Sequence, residues 1–161
     1  MPRAQAACYL PRAMVDFRER IVEDSQRIRR IAGTAQRVAV LGIRPETHAD
    51  RPAFYVAKYL HDAGVQILPV PVQHPEARTI LGQPTYARVA EVPPVIDIVD
   101  VFRRPSDVPL HLEDLLAARP RCVWLQSGIR NDAVAEALAR AGILVVQDRC
   151  LMVEHRAARA V

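Results

Sequence analysis

The fold of this chain is indicated first by the stretch Pro94-Val95-Ile96-Asp97-Ile98-Val99-Asp100-Val101-Phe102-Arg103-Arg104-Pro105. Its largely apolar, β-branched first part is typical of a buried strand, and the strand is followed by an aromatic residue, two arginines and a helical pattern. In an open parallel sheet, ligands bind just beyond the carboxyl ends of the strands. Since guanidinium groups match the geometry of phosphate, the stretch predicts a site for a planar, anionic ligand such as a phosphate-bearing nucleotide.

Four further apolar runs predict the other strands of the same sheet. They lie at residues 38–41, 65–70, 122–125 and 143–146. The run at 38–41 is continuous and closed by Gly42, as expected of a central strand covered on both faces. The quoted stretch supplies a fifth strand at 96–101.

Two helical patterns before residue 122 fall between these runs. One helix is expected to begin near Arg51-Pro52, because proline is tolerated in a first turn, and to end at Gly64. Another follows the quoted stretch, with Ser106 as its N-cap and Pro109 in its first turn. Trp124, between two apolar neighbours in a predicted strand, is expected in the core.

A third helical pattern lies between the last two strands. Asn131 is expected to cap it and Gly142 to end it. The inward-facing residues are predicted to be Val134, Leu138 and Ala141. The regular alternation of strand and helix predicts an α/β fold with a doubly wound parallel sheet.

Two segments lie outside this alternation. Residues 71–94 carry several prolines and are interpreted as a long connection with one short strand or helix near 80–86. Residues 12–32 predict an amphipathic leader helix within an N-terminal helical extension at 1–33, which precedes the main domain at 34–161. Its apolar residues are Met14, Phe17, Ile21, Ile28 and Ile31. The leader would either pack on the main domain or join two copies of the chain as a homodimer.

The composition narrows the class of protein. A chain of 161 residues, half of them hydrophobic, is long enough for one domain with its own core. The net charge of +4 is carried by arginines that alternate with acidic residues, which argues against a nucleic-acid partner. Three widely spaced cysteines fit a reducing cytoplasm, and the histidines lack metal-ligand spacing. With no apolar run long enough to span a membrane, the sequence predicts a cytoplasmic protein.

Several ordered motifs resemble the small bacterial CoA-binding-domain proteins, which are stand-alone relatives of the nucleotide-binding domain of the succinyl-CoA synthetase alpha subunit. The resemblance covers residues 28–155. It is carried by 38–42, 51–52 with 55–60, 80–82, Asp97-Ile98-Val99-Asp100-Val101-Phe102-Arg103, Trp124-Leu125-Gln126-Ser127-Gly128-Ile129-Arg130-Asn131 and 148–155. It implies a Rossmann-like CoA-binding domain that holds coenzyme A, free or acylated, at the carboxyl edge of the sheet.

Carried over position by position, the resemblance assigns the phosphates of CoA to the first loop and the first helix. Gly42, Ile43 and Arg44 would form the loop, and Arg51 with Pro52 would start the helix. The family usually has a small hydroxyl residue where this chain has Arg44. That arginine would either add a phosphate contact or fill the space of the ligand.

The same resemblance assigns the rest of the ligand to the other strand ends. Pro71-Val72, where the family usually has Asn-Pro, would lie near the adenosine. Phe102-Arg103 would flank the nucleotide, and Gln126 with Gly128 would line the path of the pantetheine arm. From the residues alone, Arg103 and Arg104 are equally expected to form surface ion pairs with Asp97, Asp100 or Asp107.

The sequence contains no pattern of catalytic residues. Glu154 and His155 are adjacent and therefore point apart, and nothing supplies a positioned nucleophile. The leading hypothesis is a non-catalytic CoA-binding protein. One alternative is an enzyme or redox carrier in which Cys150, beside Asp148-Arg149, forms a mixed disulfide with CoA. The other is an interaction protein that has lost its ligand, with Arg44 in the empty pocket.

Overall fold

The computed structural model describes residues 15–160. The strands in chain order are β1 (Arg37–Leu41), β2 (Gln66–Val70), β3 (Thr79–Ile80), β4 (Gln83–Pro84), β5 (Ile98–Val101), β6 (Cys122–Leu125) and β7 (Leu144–Val146). Five of them form one parallel sheet in the order β2-β1-β5-β6-β7, and β3 pairs with β4 as a separate antiparallel hairpin. The predicted doubly wound, Rossmann-like α/β fold is confirmed.

Five α-helices accompany the sheet. They are α1 (Ser25–Thr34), α2 (Pro52–Asp62), α3 (Leu112–Ala118), α4 (Asp132–Arg140) and α5 (Leu151–Arg159). Short 3-10 helices occur at Phe17–Arg20, Glu46–His48, Val89–Glu91 and Val108–His111. Pro52 lies in the first turn of α2 and Pro109 in the 3-10 turn before α3, as predicted.

The sheet has an apolar core on each face. One core contains buried residues of α1, α2 and α5 together with Trp124 of β6. The other contains buried residues of α3 and α4. Because adjacent residues of a strand point to opposite faces, neighbours such as Ile98 and Val99 belong to different cores. Covering both faces explains why these strands are continuous apolar runs.

The leader was wrongly predicted as one continuous helix over 12–32. Residues 12–14 lie outside the described residues; beyond them a 3-10 turn is followed by extended chain and then by α1. Asp24 starts α1 because its carboxylate accepts a hydrogen bond of 2.8 Å from the N–H of Arg27. Just before this cap, Ile21 forms a parallel bridge with Val145 of β7. The extended segment therefore lies along the free edge of the sheet.

The leader packs on the main domain. Ile28 and Ala32 of α1 are buried in the core with α2 and α5. Gly33 lies against α5, so that a Cβ atom at this position would come within 2.6 Å of the Cβ of Ala158. This contact satisfies the first of the two predicted roles of the leader. The division of the chain at residue 33 and a contact between copies stay predictions.

Two smaller predictions were wrong. Ser106 does not cap a helix, since the 3-10 turn starts two residues later, after Asp107, without a side-chain cap. Ala141 is exposed at the end of α4 rather than inward-facing, because the helix stops at Arg140. Asn131 does cap α4, accepting a hydrogen bond of 3.0 Å from the N–H of Val134.

The described residues contain no helix long and apolar enough to cross a membrane. The same part of the chain holds no group of three or more side chains arranged to bind a metal ion.

Candidate ligand site at the carboxyl edge of the sheet

The strand order reverses between β1 and β5. β2 follows β1 on one side, while β5 and then β6 and β7 extend the sheet on the other side. The loops leaving β1 and β5 touch at Gly42 and Phe102 and then lead to α2 and α3 on opposite faces of the sheet, and ligands bind at this point in such sheets. We call the surface formed by residues 42–44 and residues 102–104 the switch-point crevice.

Gly42 permits the close approach of these two loops. The N–H of Gly42 donates to the carbonyl of Val70 at 2.9 Å, and the N–H of Phe102 donates to the carbonyl of Leu41 at 2.8 Å. Gly42 has φ +87°, and a Cβ atom there would lie 2.3 Å from the carbonyl oxygen of Phe102. A side chain at position 42 is thus opposed both by the backbone conformation and by the neighbouring loop.

Beyond Gly42, the predicted site residues Ile43 and Arg44 have different surroundings. Ile43 is fully buried. Arg44 is half-buried, and its Nη2 donates to Oε1 of Gln73 at 2.8 Å. Gln73 belongs to the loop after β2, so the Arg44 side chain spans the tips of β1 and β2.

Arg51 and Pro52 are exposed at the start of α2. Arg51 occupies the N-cap position without donating or accepting a side-chain cap, and its side chain is 63% exposed. Its described ion-pair partner is the adjacent Asp50, at 4.0 Å. A guanidinium thus lies beside the amino end of an eleven-residue helix, where the helix dipole also favours an anion.

The tip of β2 is more closed than its predicted role near an adenosine suggests. Pro71 is buried, and Val72 is half-buried against the core on the side of α3 and α4. Nearby, the rings of His48 and His74 lie 4.8 Å apart. The atom Nε2 of His74 is buried without a hydrogen-bond partner among the described residues.

Phe102 and Arg103 are both half-buried at the tip of β5. The Arg103 side chain is only 12% exposed, since its Nε donates to Nε2 of His111 at 3.1 Å and its Nη2 lies 3.6 Å from Asp107. Burial, followed by the charge of Arg103, lowers the pKa of His111, so the ring accepts this bond in its neutral form. Arg103 is therefore held by its own chain.

Arg104 is exposed and also pairs with Asp107, at 2.9 Å. Of the three acidic partners expected for Arg103 and Arg104, only Asp107 takes that role. Asp97 instead lies 3.4 Å from Arg121 at the opposite edge of the sheet. Asp100 is fully buried and bonded to Gln126.

Gln126, at the tip of β6, is the predicted site residue with the most unusual partner. It is 4% exposed, and its Nε2 lies 2.7 Å and 2.9 Å from the two carboxylate oxygens of Asp100. Burial raises the pKa of Asp100 to about 8, against a smaller lowering by the Gln126 amide. The sequence offered one signal for this pair, an acidic residue within an apolar strand, which we interpreted only as an ion-pair partner.

The tips of β6 and β7 are tied together by hydrogen bonds. The exposed Gly128 donates its N–H to Oδ1 of Asp148 at 2.6 Å, and Asn131 donates its N–H to Oε1 of Gln147 at 2.8 Å. Beside these tips lies a cavity of about 240 Å³, lined by Arg130 and Arg149 among others. The amide of Gly128, which the resemblance assigned to the ligand path, is thus already bonded.

Cys150 lies half-buried immediately before α5, at the same edge of the sheet. Cys122, by contrast, is completely buried in β6, and burial raises its pKa to about 12. Trp124 is in the core as predicted, and its indole N–H donates to the carbonyl of Arg149 at 2.8 Å.

Glu154 and His155 of α5 have separate partners. Glu154 lies 3.3 Å from Arg149 and 3.6 Å from Arg29. The ring of His155 is within 3.1 Å of the hydroxyl of Tyr59. The two side chains therefore do not act on a common group.

Sequence and structure comparisons place these features among known proteins. The pattern of the CoA binding domain family matches residues 36–156. The Uncharacterized protein YneT of Bacillus subtilis (strain 168) is 33% identical over 128 residues, which make up 80% of this chain and 91% of YneT.

Two solved structures share the fold closely. The cell-free ID.343 protein of Thermus thermophilus is 42% identical and superposes with a TM-score of 0.76, covering 84% of this chain and 99% of that protein. A hypothetical protein of Pyrococcus horikoshii OT3 is 28% identical, with a TM-score of 0.75 over 85% of this chain and 93% of the other.

Proposed function

The chain belongs to the CoA binding domain family, and from this premise we propose that it is a non-catalytic protein that holds CoA or an acyl-CoA at the carboxyl edge of its sheet. The observation that carries the proposal is the switch point between β1 and β5, where Gly42 packs on the Phe102 carbonyl before the two loops separate. Ligands of doubly wound folds bind at this point.

The residues around the crevice fit the phosphate groups of CoA. Arg51 is exposed, has a weakly held partner and lies at the start of α2. Charge-assisted bonds from a guanidinium to phosphate are among the stronger hydrogen bonds in proteins. Arg44 would reach the phosphates by exchanging its exposed bond with Gln73, whereas Arg103 would remain a wall of the crevice because His111 and Asp107 hold it.

The pantetheine arm would then extend along the tips of β6 and β7. Gln126 lies at the first of these tips, and the cavity beside Arg130 and Arg149 lies at the second. The thiol or acyl end of the ligand would point toward this cavity and toward Cys150.

Isothermal titration with CoA tests the proposal, with two arginine variants as a matched pair. Arg51→Gln should weaken binding by about tenfold or more, the value of one charge-assisted hydrogen bond. Arg121→Gln removes an equal charge from a similarly exposed side chain at the opposite edge of the sheet and should leave the affinity unchanged. Absence of both heat and thermal shift at millimolar CoA would contradict the proposal and favour a protein that has lost its ligand.

A second candidate function, a redox carrier, is favoured by the position of Cys150 at this same edge. In such a reaction the Cys150 thiolate would attack one sulfur of a CoA disulfide, forming a mixed disulfide and releasing one CoA thiolate. Protein incubated with CoA disulfide should then gain the mass of one CoA, lose it on reduction and gain none as the Cys150→Ala variant. Equal labelling of that variant would exclude Cys150.

The remaining functional predictions concern location and partners. A cytoplasmic location, the absence of a nucleic-acid partner and a homodimer formed through the leader each stay predictions from the sequence. The family supports a small-molecule ligand.

A further inference from the structure

Asp100 and Gln126 form an isolated polar pair on the core face that carries α1, α2 and α5. Asp100 lies opposite Val40 of β1 and Trp124 of β6 in the sheet register, and both neighbours belong to the apolar core. Among the described residues, the side chain of Gln126 is the sole hydrogen-bond partner of the Asp100 carboxyl group.

One end of the Gln126 amide faces outward. Its Nε2 is turned to Asp100, and no described residue donates a hydrogen bond to its Oε1. Among the described residues, the fully buried side-chain polar atom without a hydrogen-bond partner is His74 Nε2. Gln126 Oε1 has no partner either, but it is not fully buried. Oε1 therefore reaches the surface at the tip of β6, next to the switch-point crevice.

The orientation of this amide depends on the proton of Asp100. An ionised carboxylate accepts hydrogen bonds, which fits the two contacts from Nε2. A protonated Asp100 carries an O–H that needs an acceptor, and Gln126 is the described side chain that is bonded to it. The amide must then rotate by half a turn, so that Oε1 accepts from Asp100 and Nε2 takes the outward position.

We propose that Asp100 is a positioning residue that sets, through its own proton, whether Gln126 offers a hydrogen-bond donor or an acceptor to the ligand. In the protonated state Gln126 offers N–H groups, which suit a carbonyl oxygen of the ligand. In the ionised state it offers a carbonyl oxygen, which suits an amide N–H. The ligand part of this inference rests on the proposed function.

The orientation of the Gln126 amide depends on the protonation of Asp100 rather than on that of a neighbouring group. The titratable and charged side chains of α1, α2 and α5 are Arg27, Arg29, Arg30, Tyr55, Lys58, Tyr59, His61, Asp62, Glu154, His155, Arg156 and Arg159. β1 adds Arg37, β6 adds Cys122, and the turn before α5 adds Asp148, Arg149 and Cys150. None of them forms a hydrogen bond with Asp100, and the shift in its pKa comes from burial and from Gln126. Its raised pKa places the change of state near neutral pH.

Nuclear magnetic resonance of the ligand-free protein tests the switch directly. The side-chain amide signal of Gln126, identified by its loss in Gln126→Met, should move with pH and with a midpoint far above the ordinary range of an aspartate. It should titrate unchanged in Asp62→Asn, which removes an exposed carboxylate, and should not titrate in Asp100→Asn. A signal that ignores pH, or that still titrates in Asp100→Asn, would overturn the proposal.

Binding measurements test the link to the ligand. The ratio of the Kd values of Asp100→Asn and the wild type, which cancels ionisations of the ligand itself, should change about fivefold between about pH 6 and about pH 9, as expected for one hydrogen bond. A change with both CoA and acetyl-CoA would identify a pantetheine carbonyl, and a change with acetyl-CoA alone would identify the thioester. A constant ratio with both would overturn the ligand part.

The two proposals fail in different ways. Absence of binding of either compound to the wild type would overturn the proposed function and, with it, the ligand part of the inference. The resonance titration would still support or overturn the Asp100–Gln126 switch.

Discussion

At the scale of single residues, two positions show how context changes the meaning of a residue type. Gly42 marks the end of a strand in the sequence, and in the structure it also allows the Phe102 carbonyl to approach. Asp100 is one of two acidic residues in the apolar stretch at 94–105, and unlike Asp97 it is fully buried in the sheet. The role of each residue therefore depends on its position in the structure, and substitutions test that role.

Gly42→Ala should destabilise the protein by about 2 kcal/mol or more, because it adds left-handed backbone strain and a clash with the Phe102 carbonyl. Urea unfolding measures the effect. Gly64→Ala is the matched control, since Gly64 has φ +94° but no atom within 4 Å of an added Cβ. Equal destabilisation by the two variants would show that the loops after β1 and β5 do not press on each other.

Asp100→Asn should change the pH dependence of stability. Burial raises the pKa of Asp100 in the folded protein from 3.8 to about 8. Between these values the unfolded chain has released the proton and the folded chain retains it, so wild-type stability falls as pH rises. The free energy of unfolding of the variant, relative to that of the wild type, should increase by at most about 1.4 kcal/mol per pH unit over this interval. Above the interval this difference should be constant. A difference that stays constant with pH in chemical denaturation would contradict the assigned protonation.

At the scale of elements, local signals worked where the chain itself supplies the cap. Asn131 was predicted from its position before a helical pattern and does cap α4. Ser106 has the same side-chain preference, but the chain after β5 passes through a 3-10 turn, and Arg103, Arg104 and Asp107 organise this segment instead. A cap residue thus indicates a helix start only where the following backbone is free to begin one.

The two candidate caps offer a direct comparison. Asn131→Ala should lower the free energy of unfolding by about 1 kcal/mol, because the N–H of Val134 loses its acceptor. Ser106→Ala should leave it unchanged within about 0.5 kcal/mol, as for an ordinary surface substitution. A loss of stability in the Ser106 variant comparable to that in the Asn131 variant, by urea unfolding, would contradict the observed start of the 3-10 turn.

At the scale of the whole molecule, the leader completes the domain. Its extended segment pairs with the edge strand β7, and α1 buries Ile28 and Ala32 in the same core as α2 and α5. An edge strand presents unpaired backbone groups, so this pairing also reduces the exposed edge. The leader consequently contributes to the stability of the single chain, whatever its role between chains.

Ile28→Ala should lower the free energy of unfolding by about 2–5 kcal/mol, because it leaves a cavity between α1 and the sheet. Gln26→Ala, at an exposed position of the same helix, should have little effect. If the variant instead kept its stability and changed its mass by light scattering, the leader would act mainly between copies of the chain.

The sequence by itself determined the five strands of the main sheet, the helices between them and the doubly wound fold. These features depend on local periodicity, on caps such as Asn131 and on the continuous apolar runs of strands that are buried on both faces. Each of these signals lies in residues that are close together in the sequence. The edge at which a ligand would bind stays a prediction. The tertiary structure alone decided that Asp100 bonds to Gln126, that His111 holds Arg103 and that Arg44 reaches Gln73. It also decided that the leader is extended beside β7 before α1 begins at Asp24. Those contacts connect residues of separate turns or strands. Which residues become partners therefore depends on the packing of the complete sheet and not on their spacing along the chain.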